Sequence, residues 1–312
     1  MSYETIKSKI SSGELVLLDG GTGSEIERQG VTMNDLAWCG IAHMDNPVVV
    51  RKVHESYIEA GADIIIANTF STAPHVISRL GLEDKIMEIN QDAVKIAQQA
   101  RENCGREVCV AASMSSIPAF DSIRIPTGNE FRAGYNQQAE ILADTGADLI
   151  ITEMMMDIDN ASMVIEAANA VGIPVWTGFS ISVNDDNMVT NYNDTQGFEF
   201  EHMSFNTMAT KLLPLGCDAA GIMHTRVDHI ETALAELREL WDGPVFAYAE
   251  SGHFVAPSWK FENIISTDDY LEYALKWIDK GVQIIGGCCG IGPEHIKVLK
   301  ARLPDKMQNP AI

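Results

Sequence analysis

The chain has 312 residues, 44 acidic and 22 basic side chains, and a formal net charge of −22; 46% of its residues are hydrophobic and 21% charged. This is the profile of a water-soluble globular protein, and its length fits two ordinary domains or one large α/β barrel. The acidity argues against nucleic acid or an anionic membrane as partner, because both select basic surfaces, and no apolar run reaches the ~18–20 residues of a membrane span.

Short apolar, β-branched runs recur along the chain and predict eight strands: Leu15–Gly21, Asp63–Thr69, Val108–Met114, Asp148–Met154, Pro174–Ser180, Asp218–His224, Pro244–Ser251 and Gln283–Cys289. Amphipathic stretches alternate with them and predict helices at Val48–Ala60, Asp84–Asn103, Phe131–Thr145, Ile158–Val171, Phe198–Leu215, Val227–Trp241, Asp269–Lys280 and Pro293–Ala301. The helix-to-strand joints are short and each holds a glycine (Gly61, Gly105, Gly146, Gly172, Gly216, Gly243, Gly281), as left-handed helix caps require. The strand-to-helix joints are often long and polar, as in Gly20–Pro47, Ser115–Glu130, Ser182–Gln196 and Ser251–Asp268. Short turns at one end and long loops at the other describe a single (β/α)8 TIM barrel over residues 1–303, with 304–312 as a loosely attached tail. An open doubly wound sheet is the alternative. Eight regular units and the lack of a G-x-G-x-x-G turn after the first strand favour closure.

In a barrel the strand carboxyl ends carry function, so candidate residues follow from the strand limits. These are Asp19, Gly20, Gly21 and Thr22 after the first strand, Asn68 and Thr69 after the second, Ser113 after the third and Glu153 after the fourth. His224 leaves the sixth, Glu250 the seventh, and Cys288 and Cys289 the eighth. Adjacent cysteines among Gly286, Gly287 and Gly290 point to zinc, for which thiolates are preferred ligands. Neighbouring residues of a regular strand face opposite ways, so joint ligation requires a distorted strand end that these glycines permit. The bland alternative is two small buried side chains beside a turn. His224 is the best third ligand, its alternative being an ordinary hydrogen-bonded histidine. Cys39, Cys104, Cys109 and Cys217 read as packed or partly exposed thiols. The first 14 residues lack the basic-then-apolar pattern of a secretory leader, and six sparse cysteines suit a reducing cytoplasm.

Leu18-Asp19-Gly20-Gly21-Thr22-Gly23, Ala60-Gly61-Ala62-Asp63 with Ala67-Asn68-Thr69-Phe70, Gly146-Ala147-Asp148 with Thr152-Glu153, and Ile285-Gly286-Gly287-Cys288-Cys289-Gly290 together resemble the homocysteine S-methyltransferase family over nearly the whole chain. The resemblance implies a (β/α)8 barrel with zinc at the strand carboxyl ends, an acceptor bound as thiolate, and a methyl-sulfonium or methyl-ammonium donor such as S-methylmethionine or a betaine. It also implies that the glycine loop at Gly20-Gly21-Thr22 receives the amino-acid carboxylate, and that Asp19 and Glu153 lie near its ammonium. The residues themselves leave a structural reading open, with Asp19 capping the first loop and Glu153 paired with a neighbour. Trp38 matches an aromatic position that flanks the donor in some members; loop packing is its alternative.

Three stretches depart from the family pattern. The sixth strand of the family ends in Gly-Ile/Val-Asn-Cys, whose cysteine is a zinc ligand; here it reads Gly221-Ile222-Met223-His224. Two thiolates and a neutral imidazole leave zinc about neutral, where three thiolates give about −1, so a bound thiolate is expected to be less electron-rich. The seventh strand shows Tyr248-Ala249-Glu250-Ser251-Gly252 in place of Tyr-Pro-Asn-Ser-Gly, and the extra carboxylate favours a cationic donor. Met154, Met155 and Met156 replace Thr and apolar residues after Glu153. The expectation is therefore methyl transfer to homocysteine giving methionine, in a divergent branch whose oligomeric state, including a homo-oligomer, stays open. Alternatives are transfer to another thiol or from a separate corrinoid protein, and a zinc-binding member without catalysis.

Overall fold

An aspartate immediately precedes three alternate strands, and the same exchange recurs at each. Asp63 N–H donates to Leu17 O while its Oδ2 accepts the Leu17 N–H at 3.0 Å. Asp148 makes the same pair with Val110, and Asp218 with Val175. Each aspartate thus locks the amino end of its strand to the preceding one. The computed structural model that shows this describes residues 2–117, 128–191, 201–255 and 257–307.

The eight strands run Val16–Leu17, Ile64–Ala67, Cys109–Ser115, Leu149–Met155, Val175–Phe179, Ala219–Arg226, Val245–Glu250 and Ile284–Gly287. All neighbours pair in parallel, the first strand with the eighth and each of the others with the next in sequence. A parallel bridge from Leu18 to Ile64 joins the first strand to the second and completes the ring. The expected TIM barrel is therefore the fold. The outer helices are Pro47–Ala60, Ile86–Cys104, Gly128–Asp144, Ile158–Ala170, Phe205–Leu212, Ile230–Leu240, Thr267–Asp279 and Pro293–Arg302.

Strand interiors are apolar on both faces, as a parallel sheet sandwiched between core and helices demands. Inside the barrel Trp176 stacks on Phe246 with ring centroids 5.9 Å apart. Gly221 makes room for that ring: a Cβ there would sit 2.3 Å from Phe246. Gly178 likewise clears space for the Met223 sulfur, so the methionine that departs from the family pattern turns inward and packs.

Several expectations need correction. Six of the seven joint glycines have positive φ, but Gly243 does not, and Gly216 at ψ +135° stands outside the left-handed helix-cap conformation. A Cβ at Gly243 would lie 2.4 Å from the Trp241 indole, so it is small there for space. Of the predicted helix Phe198–Leu215, residues 198–200 lie outside the described residues and the helix begins only at Phe205, where Ser204 caps it by accepting the Thr207 N–H. The long loops are not featureless. A first-loop helix covers Thr22–Arg28, and hairpins form at Ile181–Val183 with Val189–Asn191 and at His253–Val255 with Ser258–Lys260. Within the expected loops, residues 118–127, 192–196 and 256 fall outside the described residues. An unforeseen helix at Tyr3–Ser11 lies against the amino end of the barrel, its buried Ile6 in the core and Tyr3 Oη accepting from Trp176 Nε1. The start of the expected loose tail is docked: Leu15 N–H donates to Asp305 O, Met307 N–H to Gly13 O, and Met307 is buried.

Candidate metal and substrate site

At the end of the eighth strand the pleat stops at Gly287, and Cys288 and Cys289 lie beyond it in a turn closed by Gly290 at φ +80°. A Cβ at Gly290 would fall 1.9 Å from Ser251 O, so both its backbone angle and its space admit only glycine. Leaving the pleat frees the two side chains from facing opposite ways, and their Sγ atoms are 3.8 Å apart.

Two other strand ends are distorted toward the same point. Register shifts fall between Thr152 and Met155 in the fourth strand and between Met223 and Arg226 in the sixth. Within them Met154 and His224 hold left-handed φ values of +54° and +45°, a conformation that costs a side-chain-bearing residue roughly 1–3 kcal/mol. Serine hydroxyls hold both bulges, Ser116 donating to Met154 O at 2.7 Å and Ser180 to Met223 O at 3.0 Å. The result re-aims Glu153 and His224 into the barrel mouth. His224 Nε2 lies 2.7 Å from Glu153 Oε2 and Nδ1 lies 3.0 Å from Cys288 Sγ, while Phe70 stacks on the ring at 5.2 Å.

Ligand atoms of His224, Glu250 and Cys288 fall within 4.8 Å of one another, all three side chains being largely buried, which makes this a candidate metal site. The donor set fits zinc: imidazole, thiolate and carboxylate are its usual protein ligands, and a tetrahedron with Zn–S near 2.3 Å has sulfurs about 3.8 Å apart, matching the observed separation. Burial pushes the Cys288 thiol well above its ordinary value, the neighbouring Cys289 adds to this, and His224 opposes it. As thiolates, two sulfurs buried side by side would need a cation to offset their charge. Glu250, expected to contact substrate, thus stands within reach of the candidate metal position.

The cavity beside this cluster is lined by Gly21, Thr22, Trp38, Asn68, Ser113 and Glu153 of the expected substrate residues. Three of them carry buried polar atoms without hydrogen-bond partners: Thr22 Oγ1, Trp38 Nε1 and Ser113 Oγ. Other expected residues stand behind the wall. Asp19 accepts the Ile66 N–H and the Tyr248 hydroxyl, and burial holds it well above the usual carboxylate range. Gly20 admits the close approach of Ile291 O and Tyr57, where a Cβ would clash. Thr69 bridges strands, donating to Ser113 O and accepting the Ser113 N–H.

Sequence reasoning missed three participants. Tyr248 donates to Gly20 O and Asp19 and so ties the first strand to the seventh; Phe70 backs the His224 ring. Cys39, read as a bystander, lines the cavity and donates to Asn68 Oδ1 at 3.1 Å, while Asn68 Nδ2 donates back to Cys39 O. Its position after Trp38 was the available signal. Cys104, Cys109 and Cys217 are free thiols that do not line the cavity.

With the strand ends converging on two cysteines, the family comparison decides the identity: the sequence model of homocysteine S-methyltransferase matches residues 16–303. The chain belongs to the homocysteine S-methyltransferase family. This is a family of methyltransferase enzymes, and similarity extends end to end. A homocysteine S-methyltransferase 2 from Zea mays is 28% identical over 97% of this chain and 94% of its own length. A selenocysteine Se-methyltransferase from Brassica oleracea var. italica is 27% identical over 94% of this chain and 90% of its own. The metallated form of the homocysteine methyltransferase MmuM from Escherichia coli superposes with a TM-score of 0.74, covering 95% of this chain and 99% of that one at 23% identity, a likeness of fold. Among the described residues no helix is long and apolar enough to cross a membrane.

Proposed function

We propose that this protein transfers a methyl group from a small onium donor, S-methylmethionine or a betaine, to the thiolate of homocysteine, giving methionine. The observation that carries the reading is the convergence of His224, Cys288 and Glu250, with Cys289 Sγ 3.8 Å from Cys288 Sγ, beside a cavity with unpaired polar atoms. His224, Cys288 and Cys289 would hold zinc, with Glu250 as a further donor. Bound there, zinc would supply the Lewis acidity that favours the thiolate form of the acceptor at neutral pH, where a free thiol of pKa near ~8.5 is mostly protonated.

The remaining work belongs to the chain. Thr22 Oγ1, Ser113 Oγ and Trp38 Nε1 supply hydrogen bonds to the polar end of an amino acid, and Glu153 Oε1 is the carboxylate oxygen left for its ammonium. Trp38 and Phe70, whose rings meet edge to face at 6.4 Å, offer π surface to a sulfonium or quaternary ammonium. Holding acceptor and donor in line converts an encounter of two molecules into a positioned displacement. The six cysteines are all free, which suits a cytoplasmic protein. Small-molecule acceptor and donor are then its partners, with no nucleic acid or membrane.

The test is zinc analysis of gently purified protein followed by methyl-transfer assays pairing homocysteine or selenocysteine with S-methylmethionine and glycine betaine. About one zinc per chain and homocysteine-dependent turnover are expected. Zinc without turnover for any pair would leave a metal-binding protein, and protein that never acquires zinc would sink the proposal.

A further inference from the structure

We infer that Glu153 is a positioning residue of the metal centre: its carboxylate holds the Nε2–H of His224, so that Nδ1 is the nitrogen presented beside Cys288. The inference rests on the proposed zinc site. A thiolate ligand needs no second partner, but an imidazole has two nitrogens and a ring that must be turned the right way, and metal-bound histidines commonly donate their other N–H to a carboxylate. Where the family pattern carries cysteine, this chain carries a ligand with that requirement.

The structure meets it from three sides. Glu153 Oε2 lies 2.7 Å from Nε2, Phe70 covers one ring face, and Nδ1 faces Cys288 Sγ at 3.0 Å. The carboxylate reaches His224 across the end of the intervening fifth strand, from one bulged strand to another. Both bulges carry left-handed residues and each has a carbonyl held by a serine. Side chains at 5% and 11% exposure, aimed at one another from two strained strand ends, form a built pair rather than a chance surface contact. The carboxylate that the family resemblance turns toward the substrate is in this chain turned first toward a ligand.

Zinc affinity of the substrate-free protein, measured by competition with a chromogenic chelator, tests this directly. Glu153→Ala is expected to weaken zinc binding by about 10–100-fold, whereas Glu153→Gln, whose amide oxygen still accepts the Nε2–H, should stay within a few-fold of wild type. In a His224→Cys background the same Glu153→Ala change should leave zinc affinity unaltered, because the orienting partner has nothing to orient. Should Glu153→Ala fail to fold, Glu153→Asp withdraws the carboxylate from Nε2 and is expected to lose affinity by a smaller factor, again only with histidine at 224. Glu153→Ala that binds zinc like wild type while KM for homocysteine rises would overturn the inference and leave Glu153 as a substrate contact alone. An equal loss in both backgrounds would also overturn it. Wild-type protein that binds no zinc would remove the functional reading itself, a distinguishable failure.

Discussion

The two ends of the barrel are built on opposite terms. At the amino end backbone and side-chain groups are paired: Asp63, Asp148 and Asp218 each exchange two hydrogen bonds with a neighbouring strand, Lys9 reaches Asp63 at 2.7 Å, and Gln283 donates to Ile10 O and Glu14 O. Left-handed backbone among the joints there belongs to glycines. At the carboxyl end, five residues with side chains, Trp38, Met154, Asn187, His224 and Asn263, hold left-handed angles, and Thr22, Trp38 and Ser113 keep buried polar atoms unpaired. One end resolves its strain and the other concentrates it. Strain and unmet hydrogen bonds persist where a ligand uses them, which is how a single barrel separates stability from chemistry.

Breaking each end should therefore give a different phenotype, and the largest effect belongs to the carboxyl end. Cys288→Ala is expected to lower zinc affinity and methyl transfer by more than the ~100-fold typical of a supporting residue, with thermal unfolding little changed. Zinc titration beside a melting curve checks it. Loss of the fold instead would make the pair structural and blur the division.

Acid should act on a third population, histidines buried with no role at the mouth. Burial lowers both His54 and His75 from 6.5 to about 4, and neither ring nitrogen of His54 has a partner. Because their folded-state values are depressed, the unfolded chain takes up protons first. Their contribution is complete above pH ~6.5 and is lost as pH falls toward 4, by about 2 kcal/mol for each histidine at pH 5. Urea unfolding at pH 7 and pH 5 of wild type and of His54→Leu should show the variant less sensitive to acid.

At the amino end, Asp63→Ala leaves the buried Leu17 N–H without its acceptor and is expected to destabilise by about 1–3 kcal/mol while kcat/KM of the folded fraction holds. Equal losses of stability and turnover would break the comparison. The mildest change is Trp38→Phe, which keeps an aromatic ring but removes the unpaired Nε1–H. A rise of about 2–10-fold in KM for the amino-acid acceptor, with zinc content intact, is expected from loss of one hydrogen bond. An unchanged KM would return Trp38 to a packing role.

Much of this architecture was legible beforehand because it depends on local chemistry. Apolar runs, amphipathic periods and glycines at the joints carry their own geometry, so the eight units stood out without a structure. Gly243 misled because glycine serves two ends, a backbone angle and a lack of bulk, and only the position of Trp241 distinguishes them. The helix and hairpins inside the long loops were missed because they are too short to show a period of their own. Asp19 and Thr69 were expected to face substrate because they stand at strand ends; in the fold their hydrogen bonds go to backbone groups of neighbouring strands and, for Asp19, to the Tyr248 hydroxyl.

The chain of 312 residues therefore determined by itself that it closes into one barrel, that its carboxyl mouth holds two cysteines and a histidine, and that a distorted strand end must bring the cysteines together. These follow from residue type and spacing along the backbone. Only the tertiary structure decided which nitrogen of His224 faces sulfur, that Glu153 holds the other, that a Glu250 carboxylate oxygen lies within 4.8 Å of the His224 and Cys288 donor atoms and that Cys39 lines the cavity. Those are relations between strands far apart in sequence, set by bulges and packing that no local pattern encodes.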